Sequence, residues 1–220
     1  MLFDGILCLS LLPIKRIKGM KIKTFVLCAM LVSPIGMWAQ SEQNEVINTI
    51  MARRSVRKYQ AKPVEHAKLE TIAKCGINAP NGMNSQKWEV RVVEDPKFIE
   101  ETTALFVKDN PEMVKRDKNF KNMYRNAPNI ICIGTPGGEA SVDAGLLGEN
   151  IILAAQSLGL GTCCLGGPVR FLVTSEAAKP YIERLGFSEG YGLCYIIAVG
   201  YPDEAPEAKP RDESKIVFIK

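Results

Sequence analysis

The chain has 220 residues, 46% of them hydrophobic and 24% charged, enough for one domain with a sizeable core and too few for several. Its formal charge is +4, but five of the 28 basic residues and one of the 24 acidic residues fall within residues 1–39, so the rest is neutral and lacks the concentrated positive face that nucleic acid requires. A single histidine, His66, excludes His-rich metal sites and makes any Ser/His/Asp or Cys/His device depend on that one residue.

Met20-Lys21-Ile22-Lys23, the apolar stretch Thr24 to Trp38 and then Ala39-Gln40 follow the order of a secretory signal. The start is positive, the apolar middle is shorter than the ~20 residues of a spanning helix, and a small residue stands at the cleavage position. Cleavage is expected after Ala39, because Leu27 before Cys28 is too large for a lipoprotein box. Residues 1–39 are therefore set aside as a leader and 40–220 taken as the folded domain, with no stable membrane span in the mature chain. The pattern implies export to the periplasm; a retained anchor, or a cytoplasmic protein, is the alternative if the segment is not a signal.

Glu45 to Arg53 carries Val46, Ile47, Ile50 and Met51 at helical spacing and runs into the basic stretch Arg53-Arg54-Ser55-Val56-Arg57. Pro63 stands where a first helical residue would, so a second helix is expected over Val64 to Ile77 on Leu69, Ile72 and Ala73. Ala79 to Gln86 is a polar, turn-rich loop, and Trp88 to Val93 alternates like a strand. Residues 96–125 read as charged helices broken at Asn110-Pro111. Ile130 to Ile133 is an apolar run of strand length, closed by Gly134 to Gly138.

Val142 to Leu158 is the most apolar helical stretch and is expected to be buried on most sides. Thr162 to Leu165 and Tyr191 to Val199 are further strands, and Asp203 to Asp212 is a Pro- and charge-rich arm. Ile216 to Ile219 is again β-like, which predicts pairing with another subunit's sheet. Cys8 and Cys28 belong to the leader; Cys75, Cys132, Cys163, Cys164 and Cys194 are odd in number, lack C-x-x-C spacing and do not form a disulfide framework. Cys132, Cys163 and Cys194 lie in apolar runs, as small buried hydrophobes do.

Gly134-Thr135-Pro136-Gly137-Gly138 and Gly159-Leu160-Gly161 both fail G-x-G-x-x-G, and no Walker A pattern is present. What remains is polar clusters beside apolar elements. Arg53, Arg54, Ser55 and Arg57 offer cations and a hydroxyl within five residues, and Lys209-Pro210-Arg211 a second cationic pair; converging, they would hold a phosphate. Alone, each reads more readily as a solvated charge run. The amides of Asn81 to Gln86 suit a ring edge with donors and acceptors, or an ordinary Asn-stabilised turn.

Taken in order, Arg-Arg-Ser-x-Arg after a first helix, Ala-Pro-Asn-Gly-Met-Asn-Ser-Gln-x-Trp-Glu-Val, Asp143-Ala144-Gly145 opening an apolar helix that ends Leu158-Gly159-Leu160-Gly161-Thr162-Cys163, and Gly200-Tyr201-Pro202 with Lys209-Pro210-Arg211 resemble the FMN-dependent nitroreductase family over residues 44–220. The resemblance implies an α+β fold, a central, mainly antiparallel sheet flanked by helices, in an intertwined homodimer with C-terminal strand exchange. It implies that Arg53, Ser55, Lys209 and Arg211 surround the FMN phosphate and ribityl chain, with Arg54 beside them. Arg57 would face the N1 and C2 carbonyl edge of the flavin, where positive charge stabilises the reduced anionic ring. Pro80, Asn81, Gly82 and Asn84, with Gln86 nearby, would reach FMN from the partner subunit, and Leu165 and Gly166 would form the turn at its N5 side.

Two departures bear on the substrate pocket: Lys87 stands where the family usually has proline, and Lys121 and Asn122 are only candidates for its amide and lysine contacts. The implied activity is hydride transfer from NADPH or NADH through FMN to a nitroaromatic, quinone or similar acceptor, in a ping-pong cycle without a protein nucleophile or general acid. Export would call for a different donor, since reduced nicotinamides are not expected to be abundant outside the cytoplasm. A non-redox flavin-binding protein and a specialised flavin-dependent dehydrogenase or dehalogenase are the alternatives.

Overall fold

A computed structural model describes residues 44–220; the leader, its processing site, Cys8 and Cys28 lie outside the described residues. Among the described residues the order is α1 (Glu45–Ala52), α2 (His66–Ile77), β1 (Glu89–Val93), α3 (Pro96–Asp109), α4 (Pro111–Arg116), β2 (Asn129–Thr135), α5 (Ala140–Ser157), β3 (Gly161–Leu165), α6 (Gly167–Thr174), α7 (Lys179–Arg184) and β4 (Gly192–Gly200). The strands form one antiparallel sheet in the order β1-β2-β4-β3, with Val92 opposite Ile131, Ile131 opposite Ile197, and Thr162 opposite Val199.

The continuous apolar run of β2 has a simple cause. All seven of its residues are buried, because the sheet is covered on both faces. Ile131, Ile133, Ile197 and Val199 meet Leu69 and Ile72 of α2 and Leu147, Ile151 and Ala155 of α5. Their neighbours in the pleat, Ile130, Cys132, Ile196 and Ala198, meet Phe98 and Ile99 of α3 and Leu172 of α6 on the other side. The α+β architecture with a central antiparallel sheet is thus the one expected.

Local chemistry sets the element ends. Asp95 caps α3 by accepting from the Lys97 N–H, with Pro96 in the first turn. Gly159, at φ +73°, closes α5, and the Leu160 N–H returns to the Ala155 carbonyl. The second helix starts at His66, two residues later than expected, because the Val64 N–H donates to Asn129 Oδ1 (2.9 Å) and holds the preceding backbone against β2. Helices α6 and α7 and the 3-10 turn Glu176–Ala178 fill a stretch for which the sequence patterns gave no element.

Two expectations are not met within a single chain. Helix α5 is not buried on most sides in one chain: Ala144, Leu147, Ile151 and Ala155 are covered, whereas Val142 and Leu146 are exposed. Residues 216–219 form no strand within the chain, and their side chains are exposed. The five described cysteines are free; Cys132 and Cys163 are buried, but Cys194 is only half-buried. Among the described residues no helix is long and apolar enough to cross a membrane.

Candidate functional site

The basic stretch leaves α1 and is caught on the outer edge of β3. Ser55 bridges Thr162 in parallel, and the Val56 N–H donates to the Thr162 carbonyl (2.9 Å). Further on, Tyr59 bridges Pro202, the Gln60 N–H donates to the Tyr201 carbonyl, and the Asp203 N–H to the Lys58 carbonyl. Val56 can seat there because position 161 is glycine: a Cβ on Gly161 would stand 2.8 Å from Val56 carbons. With Val56 turned inward, its neighbours Ser55 and Arg57 face outward beside β3.

This places Arg53, Ser55 and Arg57 around a cavity of about 250 Å³, with Glu149 and Ile152 of α5 and the β3 residues Thr162, Cys163 and Cys164 completing the wall. Arg53 Nε lies 3.9 Å from Glu149 Oε1, and Arg57 Nη1 donates to the Ser55 carbonyl (3.0 Å). A second cavity of about 820 Å³ shares Arg57, Cys163 and Cys164 and continues past Leu165, Gly166 and Gly167 at the start of α6. That volume lies within the roughly 300–1,000 Å³ of small-molecule sites. A Cβ at Gly166 would meet no heavy atom within 4 Å, so the space beside this lining residue is open.

One chain therefore brings together five of the expected residues: Arg53, Ser55, Arg57, Leu165 and Gly166. Arg54 is turned away, its Nη1 donating to the carbonyls of Met51 (2.6 Å) and Arg53 (2.8 Å) at the end of α1. Pro80, Asn81, Gly82, Asn84 and Gln86 border neither cavity; their loop leads into β1, the sheet edge opposite β3. That loop is tightly wound, with Met83, Asn84 and Gln86 at positive φ and Asn81 Oδ1 accepting from the Gln86 N–H (2.9 Å). Lys209 and Arg211 sit exposed on the arm, Arg211 Nη1 bonding to the Lys209 carbonyl (3.0 Å). Lys121 and Asn122 do border the larger cavity, but the Asn122 amide is spent on the backbone of Tyr124, Asn126 and Ala127.

Sequence reasoning missed Thr162, Cys163, Cys164, Glu149 and Arg125, since only the docking of residues 53–60 along β3, or of the segment before β2, puts them at the cavities. Burial pushes the Cys163 thiol up, against the opposing pull of Arg57 and Arg125, so it stays protonated at neutral pH and is no thiolate nucleophile. His66 lies on the outer surface of α2, paired with Glu94 at 2.8 Å, and faces neither cavity. The arrangement can hold an anion at its narrow end and a planar ring in its wide one.

A family model described as "Nitroreductase family" matches residues 50–201. An NADPH-flavin oxidoreductase of Vibrio harveyi is 28% identical over 186 residues, covering 79% of this chain and 72% of that protein. A nitroreductase with bound FMN from Desulfitobacterium hafniense DCB-2 has a TM-score of 0.72 at 27% identity, covering 81% of this chain and all of that one. A second FMN-bound nitroreductase, from Bacteroides fragilis NCTC 9343, has a TM-score of 0.68 at 25% identity over 81% of this chain and all of that one.

Proposed function

The chain belongs to the nitroreductase family, and from that premise we infer that it is an FMN-dependent NAD(P)H oxidoreductase whose acceptors are nitroaromatics, quinones or similar electron-poor rings. The observation that carries this reading is the convergence of Arg53, Ser55 and Arg57 on the edge of β3, at the narrow end of a ring-sized cavity.

The residues suit FMN. The Arg53 guanidinium and the Ser55 hydroxyl match a phosphate ester, which binds best to charge-assisted donors. Arg57, where the two cavities join, is suited to the N1 and C2 carbonyl edge of the ring, and its fixed charge favours the reduced anion. Gly166 leaves space for close approach by a flat ligand. Lys209, Arg211 and the amides of Pro80 to Gln86 complete the shell when two copies associate, the Pro80 loop coming from the second copy. The chemistry that FMN supplies when bound is the uptake and release of a hydride equivalent. The chain's own part is to anchor, orient and electrostatically tune it, and water is the proton source, since among the described residues no histidine lines the cavities and burial pushes the Cys163 and Cys164 thiols up.

Association into a homodimer is supported by the apolar side chains that one chain leaves uncovered on α1, α5 and the tail. Export through residues 20–39 is supported by the signal-like order of that segment and would be read from the N-terminal sequence of the secreted or periplasmic protein.

The deciding experiment is an absorption spectrum of the purified protein, then anaerobic addition of NADPH or NADH. A flavin band that bleaches upholds the reading and identifies the donor. Bound flavin that stays oxidised removes the NAD(P)H activity, and a colourless protein that takes up no FMN removes the cofactor assignment.

A further inference from the structure

One wall of the larger cavity is built from the segment between α4 and β2. Between α4 and β2 the chain is knotted by two asparagines. Asn126 Oδ1 accepts from the N–H groups of Lys121 (2.7 Å) and Asn122 (3.0 Å), and Asn126 Nδ2 donates to the Asn119 carbonyl (2.8 Å). Asn122 Oδ1 accepts from the N–H groups of Tyr124 and Asn126 (2.9 Å each), and its Nδ2 donates to the Ala127 carbonyl (3.1 Å). The knot is anchored on α3: the buried Tyr124 hydroxyl lies 2.9 Å from Thr102 Oγ1, and the Met123 N–H donates to Thr103 Oγ1 (3.3 Å).

This scaffold holds Arg125 at φ +60°, a left-handed conformation that a long side chain rarely adopts. Arg125 borders the cavity beside Lys121. Among the described residues, neither cation has a carboxylate oxygen within 4.0 Å. Four cations border the cavity, Arg57, Lys58, Lys121 and Arg125, against three acids, Asp117, Asp203 and Glu204. Two of those acids are engaged, Asp117 by the Asn119 N–H (2.9 Å) and Glu204 by the Arg57 N–H. The same cavity has an aromatic wall, Phe106 and Phe120, with centroids 6.4 Å apart and 20° between ring planes. Phe171, edge-on to Phe106 at 5.3 Å, braces it from behind.

We propose that Arg125, with Lys121 beside it, selects acceptors that carry an anionic group on an aromatic ring. The ring packs against the Phe106 and Phe120 wall, and its carboxylate meets the Arg125 guanidinium in the two-pronged geometry that guanidinium favours. Rigid presentation by the Asn122 and Asn126 knot lowers the cost of ordering the arginine on binding. The inference rests on the oxidoreductase reading and adds to it a substrate class. The redox change is confined to the acceptor's nitro group: R–NO2 + NADPH + H+ gives R–NO + NADP+ + H2O, and the carboxylate is unchanged.

The test is a titration of the FMN-loaded protein, without donor, with 4-nitrobenzoate and with its neutral counterpart 4-nitrobenzamide, followed through the flavin absorption band. The acid is expected to bind about tenfold more tightly at low salt, with the ratio shrinking as salt rises. In Arg125→Asn, chosen because asparagine tolerates left-handed backbone, the ratio falls to about one, whereas Arg125→Lys, which keeps the charge and loses the two-pronged geometry, retains only part of it, and Lys121→Gln lowers it by a smaller factor. Equal affinities in the wild type, or a preference that survives Arg125→Asn, overturn the proposal. Adding NADPH and NADH in turn then separates it from the reading beneath: turnover of either acceptor upholds the oxidoreductase whatever the ratio, and turnover of neither with either donor removes nitro reduction while the affinity ratio still decides the inference.

Discussion

Arg53 stands between two claims on its charge. Its guanidinium is 3.9 Å from the half-exposed Glu149 carboxylate, and the same guanidinium borders the cavity proposed for the FMN phosphate. An exposed pair of this length contributes little by itself, so a phosphate dianion can displace it. Arg53→Ala combined with Arg211→Ala is expected to weaken FMN retention by at least about tenfold, by loss of charge-assisted hydrogen bonds; flavin content after gel filtration measures it, and unchanged content would remove both residues from the phosphate site. Glu149→Gln should act oppositely and tighten FMN, because it removes a negative charge from the cradle; a fluorescence titration with FMN reads the sign. The cluster Arg53, Ser55 and Arg57 was legible in the sequence because its members are near neighbours. Which cation in that run turns away was not: Arg54 caps the end of α1, and only the local backbone decides that. Arg125 was illegible for a further reason, since its place depends on side-chain bonds from Asn122 and Asn126.

Between elements, Gly161 couples the sheet to the site. A methyl group there would press on the Val56 side chain, whose neighbours are Ser55 and Arg57. Gly161→Ala is expected to cost about 1–3 kcal/mol of stability through overpacking and to reduce FMN affinity as the 53–57 segment is pushed off β3; denaturant melts with a flavin titration measure the two effects. A substitution that lowered neither would show that the segment is held elsewhere. A second link joins α2 to the end of β4, where the Tyr201 hydroxyl donates to Glu65 and accepts from Lys68 Nζ (2.8 Å). The Tyr201 hydroxyl, then backbone and Lys62 donors, lower the Glu65 carboxyl to about 2. A carboxyl lowered on folding stabilises the fold above its ordinary range near 4.5 and loses that contribution as pH falls toward 2. Glu65→Gln should therefore flatten the acid limb of a stability-against-pH curve by lowering its neutral plateau while leaving the stability near pH 2 unchanged, the effect being small because the group is solvated. At this scale the strands and the break at Asn110-Pro111 were legible from apolar runs and proline. The start of α2 was not, because it is fixed by a hydrogen bond to Asn129, more than sixty residues away.

The chain as a whole has more apolar surface than its own fold covers. Val46, Ile50 and Met51 of α1, Val142 and Leu146 of α5, and Ile216 to Ile219 of the tail are all exposed, Phe218 to 80% and Ile219 to 92%. Such concentrations mark surfaces that meet another molecule. The sequence pattern of α5, apolar nearly all round, predicted a helix buried on most sides, and one chain buries a single stripe; the difference is the area a second copy would cover. Hydrophobic periodicity reports total burial and does not say which chain supplies the cover. Val142 and Leu146 lie four residues apart on one face of α5, so Val142→Glu with Leu146→Glu places two charges on that face without touching the core. Because both positions are exposed in the single chain, the stability of an isolated subunit should change by no more than about 0.5 kcal/mol. Light scattering is expected to show a dimer for the wild type and a monomer for the double variant. FMN content should fall with the dimer, since Pro80 to Gln86 border neither cavity in their own chain and can serve the site only from a second copy. A double variant that stayed dimeric would move the interface off α5, and a monomer that kept its full flavin would confine the binding residues to the Arg53, Ser55 and Arg57 cradle and the Leu165-Gly166 turn.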